Sequence, residues 1–320
     1  MTKSTPTVSV VIPTHNRAHL IRRSVQSALD QTFGDVEVIV VDDGSTDTTN
    51  EVLSSFDDPR LRVVTLSPNG GHARARNQGI VAAKGDYVAF LDSDDEWVPD
   101  KLEVQLRRFE DDDAPIAVYS GLYIDDGKSR HATAASVEGR AFERFLALPG
   151  PITTTGLIVD RARAGDELHF DETLGCAVEG DLLIRLSRDH VIGRVQRPLY
   201  VWYHHDGPHV AQDRCYAVAR LKIIQKYWAD LESRPQLAAY CYFRLALTQR
   251  KVGNYAGARR SVWKAARLNP GDTRLRVLDA IGGLGQTPLR LALGAYAGAG
   301  RIRRARELRR GRANPALGTA

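Results

Sequence analysis

Sulfur is scarce in this chain, with three cysteines and one methionine among 320 residues. Cys176, Cys215 and Cys241 are far apart, odd in number and in no CxxC pair, which points to neither a disulfide framework nor a thiolate zinc site. Long apolar runs are also lacking. No window reaches the roughly 18 uninterrupted apolar residues of a membrane span. The opening stretch MTKSTPTVSVVIPTHNR has neither the charged region nor the long apolar core of a signal peptide. A cytoplasmic protein is therefore the expectation. No GxGxxG follows the first apolar run, which excludes a nicotinamide-dependent Rossmann oxidoreductase.

What is present suits a soluble chain with one large and one smaller domain: 43% hydrophobic and 26% charged residues over a length able to bury a sizeable core. The net charge of +5 is unevenly placed. The segment RIRRARELRRGR, residues 301–312, contributes +6 and leaves the rest of the chain at −1.

Up to about residue 125, strands and helices alternate. VSVVI (8–12), VEVIVV (36–41), LRVVTL (61–66) and DYVAFL (86–91) read as strands, LRVVTL the weaker of them, and the continuous β-branched run of VSVVI indicates burial on both sheet faces. Between them, Leu20, Ile21, Val25, Ala28 and Leu29 recur at helical spacing, and a further helix is predicted from His72 to Ala83. Ser45 or Thr46 is placed to cap the second helix, Gly85 to end the third, and Pro99 to begin a fourth that runs to about Glu110. This order implies a doubly wound α/β sheet, whose ligands bind beyond the carboxyl ends of its strands. Asp42-Asp43 and Asp92 to Glu96 then share one rim. Further on, IAVYSGLYI reads as a strand, EGDLLIRLSRD as a helix, and VIGRVQRPLYVWYHH as two strands divided by Pro198. Domain boundaries are expected at 1–210 and 211–320, the second part helical.

The stretch YVAFLDSDDEW carries four carboxylates within five positions directly after an apolar strand. Crowding like charges is unfavourable unless something positive offsets them. An Asp-x-Asp at a strand end is an oxygen-only site suited to Mg²⁺ or Mn²⁺, with substrate phosphates completing the shell. For Asp95 and Glu96 the expectation is a solvated turn ahead of the following helix.

Four segments, VSVVIPTHNR, QTFGDVEVIVVDDGSTD, ARNQGIVAAKGDYVAFLDSDD and EGDLLIRL…RPL, stand in an order that resembles the family 2 glycosyltransferases of GT-A type over roughly residues 7–205. The resemblance implies a GT-A fold, a Rossmann-like doubly wound mixed sheet, with a nucleotide-diphosphate sugar donor, UDP-linked first among the choices, and a divalent metal. By position it sets Pro13, Thr14, His15 and Asn16 under the nucleoside and Asp43 at the base edge. Asp92 and Ser93 fall near the ribose and metal, and Asp94 on the metal. Asp42 reads instead as a turn residue and Asn77 as a local structural one. Arg74 and Arg76 lie two apart on one helix and so point in different directions; Arg76, within the family-like ARN segment, is the diphosphate candidate.

Inverting transfer needs a base to take the acceptor's proton. Where the family has Glu-Asp, this chain has Val178-Glu179, so Glu179 is the first candidate base and Asp181 the second, with helix capping as the other role for Asp181. In members of related families a histidine after the last core strand completes the metal shell or touches the diphosphate, a role the resemblance implies for His204 or His205, with a surface histidine cluster as the alternative; Trp202 and Tyr203 are placed to line an acceptor cleft or to pack in the core.

The segment ALTQRKVGNYAGARRSVWKAARLNPGD resembles a single tetratricopeptide-like helix pair, which must pack on neighbours to cover its apolar face. The apolar stretch broken by Pro288 and the basic segment 301–312 suit peripheral contact with an anionic membrane face, where lipid-linked acceptors are found; otherwise they are a packed helix and a solvated tail. No aromatics interleave with these arginines, so nucleic acid is not expected. The leading function is metal-dependent sugar transfer to an acceptor hydroxyl on a glycan, a lipid-linked carrier or a small molecule. The alternative is an inactive scaffold of the same fold acting through its helices. Retention of Asp94, Glu179 and Asp181 favours the enzyme.

Overall fold

A computed structural model describes residues 5–147, 153–203 and 210–309, with the backbone alone at 210–212 and 300–309. The chain forms two compact units, Met1–Gly207 and Pro208–Ala320.

The first unit is a nine-stranded mixed sheet. Its strands are β1 (Val8–Thr14), β2 (Val36–Asp42), β3 (Leu61–Thr65), β4 (Tyr87–Phe90), β5 (Glu96–Trp97), β6 (Ala117–Asp125), β7 (Arg130–Thr133), β8 (Leu157–Asp160) and β9 (Ile192–Tyr203). The order is β3-β2-β1-β4-β8-β6-β9-β5, with β7 paired to β6. β3, β2, β1 and β4 run parallel, while β8 is antiparallel to both β4 and β6. The helices of this unit are α1 (Ile21–Leu29), α2 (Thr49–Ser54), α3 (His72–Ala82), α4 (Lys101–Phe109), α5 (Phe142–Leu146), α6 (Arg161–Ala164) and α7 (Val178–Asp189).

All seven residues of β1 are buried, as its unbroken apolar run predicts. On one face Val10, Ile12, Val38 and Val40 pack with Ile21 and Val25 of α1 and Leu102 of α4. α3 approaches β1 closely: a Cβ at Gly79 would stand 2.2 Å from Val11 Cγ1. Gly85, expected to end α3, has a different task. The helix ends at Ala82, with Ala83 already extended, and a Cβ at Gly85 would meet the Ser9 backbone nitrogen at 2.6 Å, so this glycine admits a close backbone approach.

Three other local expectations are corrected. Neither Ser45 nor Thr46 caps α2; Asp47 holds its start, accepting from the Thr49 N–H at 3.0 Å and the Thr49 hydroxyl at 2.5 Å. The α4 helix begins at Lys101 rather than Pro99. The two strands expected around Pro198 are one strand, β9, whose register against β6 slips between Ser120↔Val195 and Gly121↔Pro198. Proline lacks the N–H that a ladder needs, and a bulge accommodates it without ending the strand.

The second unit is helical: α8 (Val210–Lys226), α9 (Trp228–Glu232), α10 (Pro235–Lys251), α11 (Tyr255–Leu268), α12 (Thr273–Gly283) and α13 (Gln286–Arg309). α10 and α11 pack as a pair through Ala238, Tyr242, Ala246, Ala258, Val262 and Ala265, with α8 and α13 against α10 and α12 against α11. Pro288 falls in the first turn of α13, where proline is tolerated. The side chains of the basic segment 301–312 lie outside the described residues.

Candidate active site

The parallel register sets Thr14 beside Asp42, so β1 and β2 end together, and the Asp43 N–H donates to the Thr14 carbonyl at 2.9 Å. The turn after β1 is held by Asn16, which sits in the left-handed region at φ +52°. Its side-chain carbonyl accepts from the Thr46 N–H at 2.8 Å and the Asp47 N–H at 3.3 Å, and its own N–H donates to Ser45 Oγ at 2.9 Å. Asn16 thus braces one loop against the next. His15 beside it is exposed, with a planar face open for stacking, while Pro13 and Thr14 are buried as the end of β1.

The paired aspartates diverge. Asp42 accepts from the Ser45 N–H at 3.0 Å, the Ser45 hydroxyl at 2.5 Å and Asn50 Nδ2 at 2.8 Å, which is a turn residue's work. Asp43 accepts from Gly70 at 2.9 and 3.1 Å and from Gly71 at 2.6 Å, fixing the loop that leads into α3. A carboxylate has about four lone-pair sites, so acceptor capacity remains there for a base N–H.

α3 supplies the positive charge that the acid rim requires. Arg76 is buried and donates to Asp92 Oδ1 at 2.5 Å, with its guanidinium 5.5 Å from the Phe170 ring centroid. Arg74 points elsewhere and donates to the Pro68 carbonyl at 2.9 Å. Asn77 clamps a distant segment, donating to the Phe170 carbonyl and accepting from the Phe170 N–H. Arg74 and Arg76 point in different directions, as their spacing implies, whereas Asn77 holds a segment 93 residues away rather than its own neighbourhood.

Asp92 Oδ1 also accepts from the Thr154 hydroxyl at 3.0 Å. Burial pushes this carboxyl up, but the Arg76 charge and the hydrogen bonds of Arg76 and Thr154 outweigh it and hold Asp92 below the ordinary carboxylate range. Ser93 is buried next to it, and Asp94 is half-buried, its carbonyl accepting from Arg23 at 2.7 Å.

Asp95 departs from expectation. It is buried, not a solvated turn residue, and accepts from the Thr155 hydroxyl at 2.5 Å. Burial, then the charges of Asp92 and Asp94, push its carboxyl well above the ordinary range. Glu96 pairs in β5 and accepts from the Tyr203 hydroxyl at 2.5 Å.

The candidate bases separate clearly. Ala177, at φ +56°, turns the chain into α7. Glu179 follows in the first turn, half-buried, and burial pushes its carboxyl up to about 7, with Arg76 lowering and Asp92 raising it further. Asp181 is fully buried and bonded to Arg185 Nε at 3.1 Å; the same guanidinium donates to the carbonyls of Glu167 and His169. Asp181 therefore anchors α7 to the segment before it.

Several residues of this rim escaped the sequence reading. His72 opens α3 in the field of Arg76, Asp92 and Asp43; desolvation, then the Arg76 charge, holds its imidazole below the ordinary range. Thr154 and Thr155 come from the TTTG run (153–156), and Arg23 from α1, where it stacks 3.6 Å from the Tyr203 ring centroid. Five buried side-chain polar atoms among the described residues have no hydrogen-bond partner, and three of them, Thr14 Oγ1, Arg23 Nε and Arg76 Nε, are on this rim. Such atoms are rare in folded proteins and are groups that water or a polar ligand satisfies.

His204, His205 and His209 lie outside the described residues. No group of three or more His, Cys, Asp or Glu side chains arranged for a metal occurs among the described residues. The donors on the rim, Asp94 and the second oxygen of Asp92, are carboxylates, the set that suits Mg²⁺ or Mn²⁺ when substrate phosphates supply further ligands.

Comparison with known proteins decides the family. The sequence model described as "Glycosyl transferase family 2" matches residues 9–157. Over 200 residues the chain is 33% identical to the putative teichuronic acid biosynthesis glycosyltransferase TuaG of Bacillus subtilis (strain 168), covering 62% of this chain and 68% of that protein. The chain belongs to glycosyl transferase family 2. This family 2 glycosyltransferase is also 45% identical over 197 residues to the chondroitin synthase of Pasteurella multocida (strain Pm70), of which it spans only 19%. Its fold matches S. aureus TarS 1–349, solved in complex with UDP-GlcNAc, with a TM-score of 0.68 at 20% identity over 92% of each chain. It also matches the Pyrobaculum calidifontis mannosyltransferase PcManGT, solved with GDP-Man and Mn²⁺, with a TM-score of 0.59 at 20% identity over 92% of this chain and 87% of that one. The fold is that of the GT-A glycosyltransferases. Glu179 lies beyond the segment that the family model covers.

Proposed function

We propose that this glycosyltransferase moves a sugar from a nucleotide-diphosphate donor, UDP-linked in the first instance, to an acceptor hydroxyl with inversion at the anomeric carbon. The observation that carries this reading is Glu179: a half-buried carboxyl pushed up to about 7, within the field of the Arg76–Asp92 pair at the strand ends. A base works best when its pKa lies near the working pH. Glu179 takes the acceptor's proton as the acceptor oxygen forms its bond to the anomeric carbon, and the diphosphate leaves from the opposite face with the electrons of the broken C–O bond. Pro13 to Asn16 and Asp43 receive the nucleoside, and Arg76 and Ser93 stand beside the diphosphate. Asp94, Asp92 and His204 are the residues that would hold Mg²⁺ or Mn²⁺, which supplies charge to offset the departing diphosphate. Asp181 acts through the Arg185 anchor.

The acceptor belongs to the cell envelope on this reading, a glycan or a lipid-linked carrier met at the cytoplasmic membrane face through the basic segment. No described helix is long and apolar enough to cross a membrane.

The test is donor hydrolysis across a panel of nucleotide sugars, with and without chelator, in the wild type, Asp94→Ala and Glu179→Gln. Metal-dependent turnover of one donor, abolished in Asp94→Ala, is expected. Donor turnover that survives both chelator and Asp94→Ala removes the metal from the mechanism. A Glu179→Gln variant that transfers at the wild-type rate removes Glu179.

A further inference from the structure

We infer that the helical unit carries its own binding site for an anionic saccharide, formed by Arg259, Arg260 and Trp263 of α11 with Asp279, Gly283 and Gln286. These residues line an open cavity of about 470 Å³, within the range of roughly 300–1,000 Å³ typical of ligand sites. Arg259 and Trp263 are four residues apart and Arg260 and Trp263 three, so all three side chains share one helix face.

Neither arginine is committed to the fold. Arg259, Arg260 and Asp279 form no ion pair or side-chain hydrogen bond among the described residues. The stem of Arg259 runs past the end of α12, where a Cβ at Gly282 would stand 3.6 Å from its Cγ. Trp263 is 45% exposed, unusual for so large an apolar side chain, and Arg267 lies over its ring at 4.6 Å from the centroid. An indole held open in this way, with a cation stacked on it, offers a flat amphipathic platform.

The chemistry selects the ligand. A pyranose ring presents C–H faces that lie on an indole and hydroxyls that bond to a carboxamide and a carboxylate, which Gln286 and Asp279 provide. The guanidiniums bind a carboxylate through paired N–H groups. Asp279 opposes densely charged polyanions, since a carboxylate among the lining groups repels phosphates more than it repels one carboxylate per sugar pair. A uronic-acid-bearing oligosaccharide matches this balance. Binding here does not depend on transfer; that the bound chain is the acceptor rests on the reading above.

The experiment is calorimetric titration of the full chain with a uronic-acid-containing hexasaccharide, its carboxyl-reduced neutral form, UDP and a single-stranded RNA. The acidic hexasaccharide should bind at least tenfold more tightly than the reduced one. Arg259→Gln/Arg260→Gln and Trp263→Ala should each weaken it at least tenfold. Gly283→Leu tests the site without touching either arginine: Gly283 lines the cavity and a Cβ there meets nothing within 4 Å, so leucine is accommodated with the fold intact and should narrow the cavity and weaken binding at least tenfold. Donor hydrolysis should be unchanged in all of these variants. Equal binding of the reduced sugar, tighter binding of RNA, loss of UDP binding in the arginine variant, or saccharide binding undiminished by Gly283→Leu each overturns the site. Saccharide binding by a chain that turns over no donor leaves the site standing and removes the transfer reading.

Discussion

Glu179 ionises against its surroundings, and this has two measurable consequences. In the proposed role of base it must be deprotonated, so transfer should rise with pH through about 7 and level off above it, and Glu179→Gln should lower the rate at least ~100-fold across that range. The second consequence concerns stability. A carboxyl raised from 4.5 to about 7 in the folded protein favours the fold fully below 4.5, and that contribution is lost as pH rises through about 7. By linkage the loss reaches at most about 3 kcal/mol at pH 8. Denaturant unfolding should therefore find Glu179→Gln more stable than wild type at pH 8 and equal to it near pH 4.5. Arg76 works in the opposite sense. Its charge keeps the half-buried Asp92 ionised, so Arg76→Met should cost about 1–3 kcal/mol, and adding Asp92→Asn should restore much of it. Residue types and spacing made the turn role of Asp42 and the divergence of Arg74 and Arg76 legible in the sequence. Thr155 and the burial of Asp95 were not, because they arise from the return of residues 153–156 to the end of β4, a contact some 60 positions away in the chain; His72 was not, because its surroundings come from Asp43 and Asp92 on separate turns.

At the scale of elements, β1 and β2 were readable as continuous apolar runs and α1 and α4 by their apolar stripes, while β3 is mostly exposed and α3 has no such stripe. The later half was harder. β8 is four residues long, and β9 continues through a proline because a bulge absorbs it. Gly85 has the position of a helix stop and the job of a spacer, a distinction that depends on what lies across the gap. Gly79 shows the same principle within α3. Alanine there would gain about 1 kcal/mol of helix propensity, but its Cβ would stand 2.2 Å from a buried valine methyl, and overpacking costs about 1–3 kcal/mol. The clash should win. Gly79→Ala is expected to lower the midpoint of chemical unfolding, and Val11→Ala combined with it should recover part of the loss, which a double-mutant cycle measures.

For the whole molecule, charge is partitioned. The segment 301–312 holds +6 of a chain whose remainder sums to −1. Deleting residues 301–320 should abolish salt-sensitive co-sedimentation with vesicles rich in anionic lipid while leaving donor hydrolysis intact; each basic residue near such a surface contributes about 1 kcal/mol. Undiminished sedimentation of the shortened chain would remove that role from the tail. The spacing of the active-site residues also sets an order of birth. Asp92 and its partner Arg76 leave the ribosome 87 or more residues ahead of Glu179, roughly 4–17 s at ordinary rates of synthesis. The early segment carries both signs of its own charge and can settle before the rest arrives. When the last carboxylate reaches the rim, Arg76 is already engaged by Asp92, so burial rather than an ion pair of its own governs the proton on Glu179.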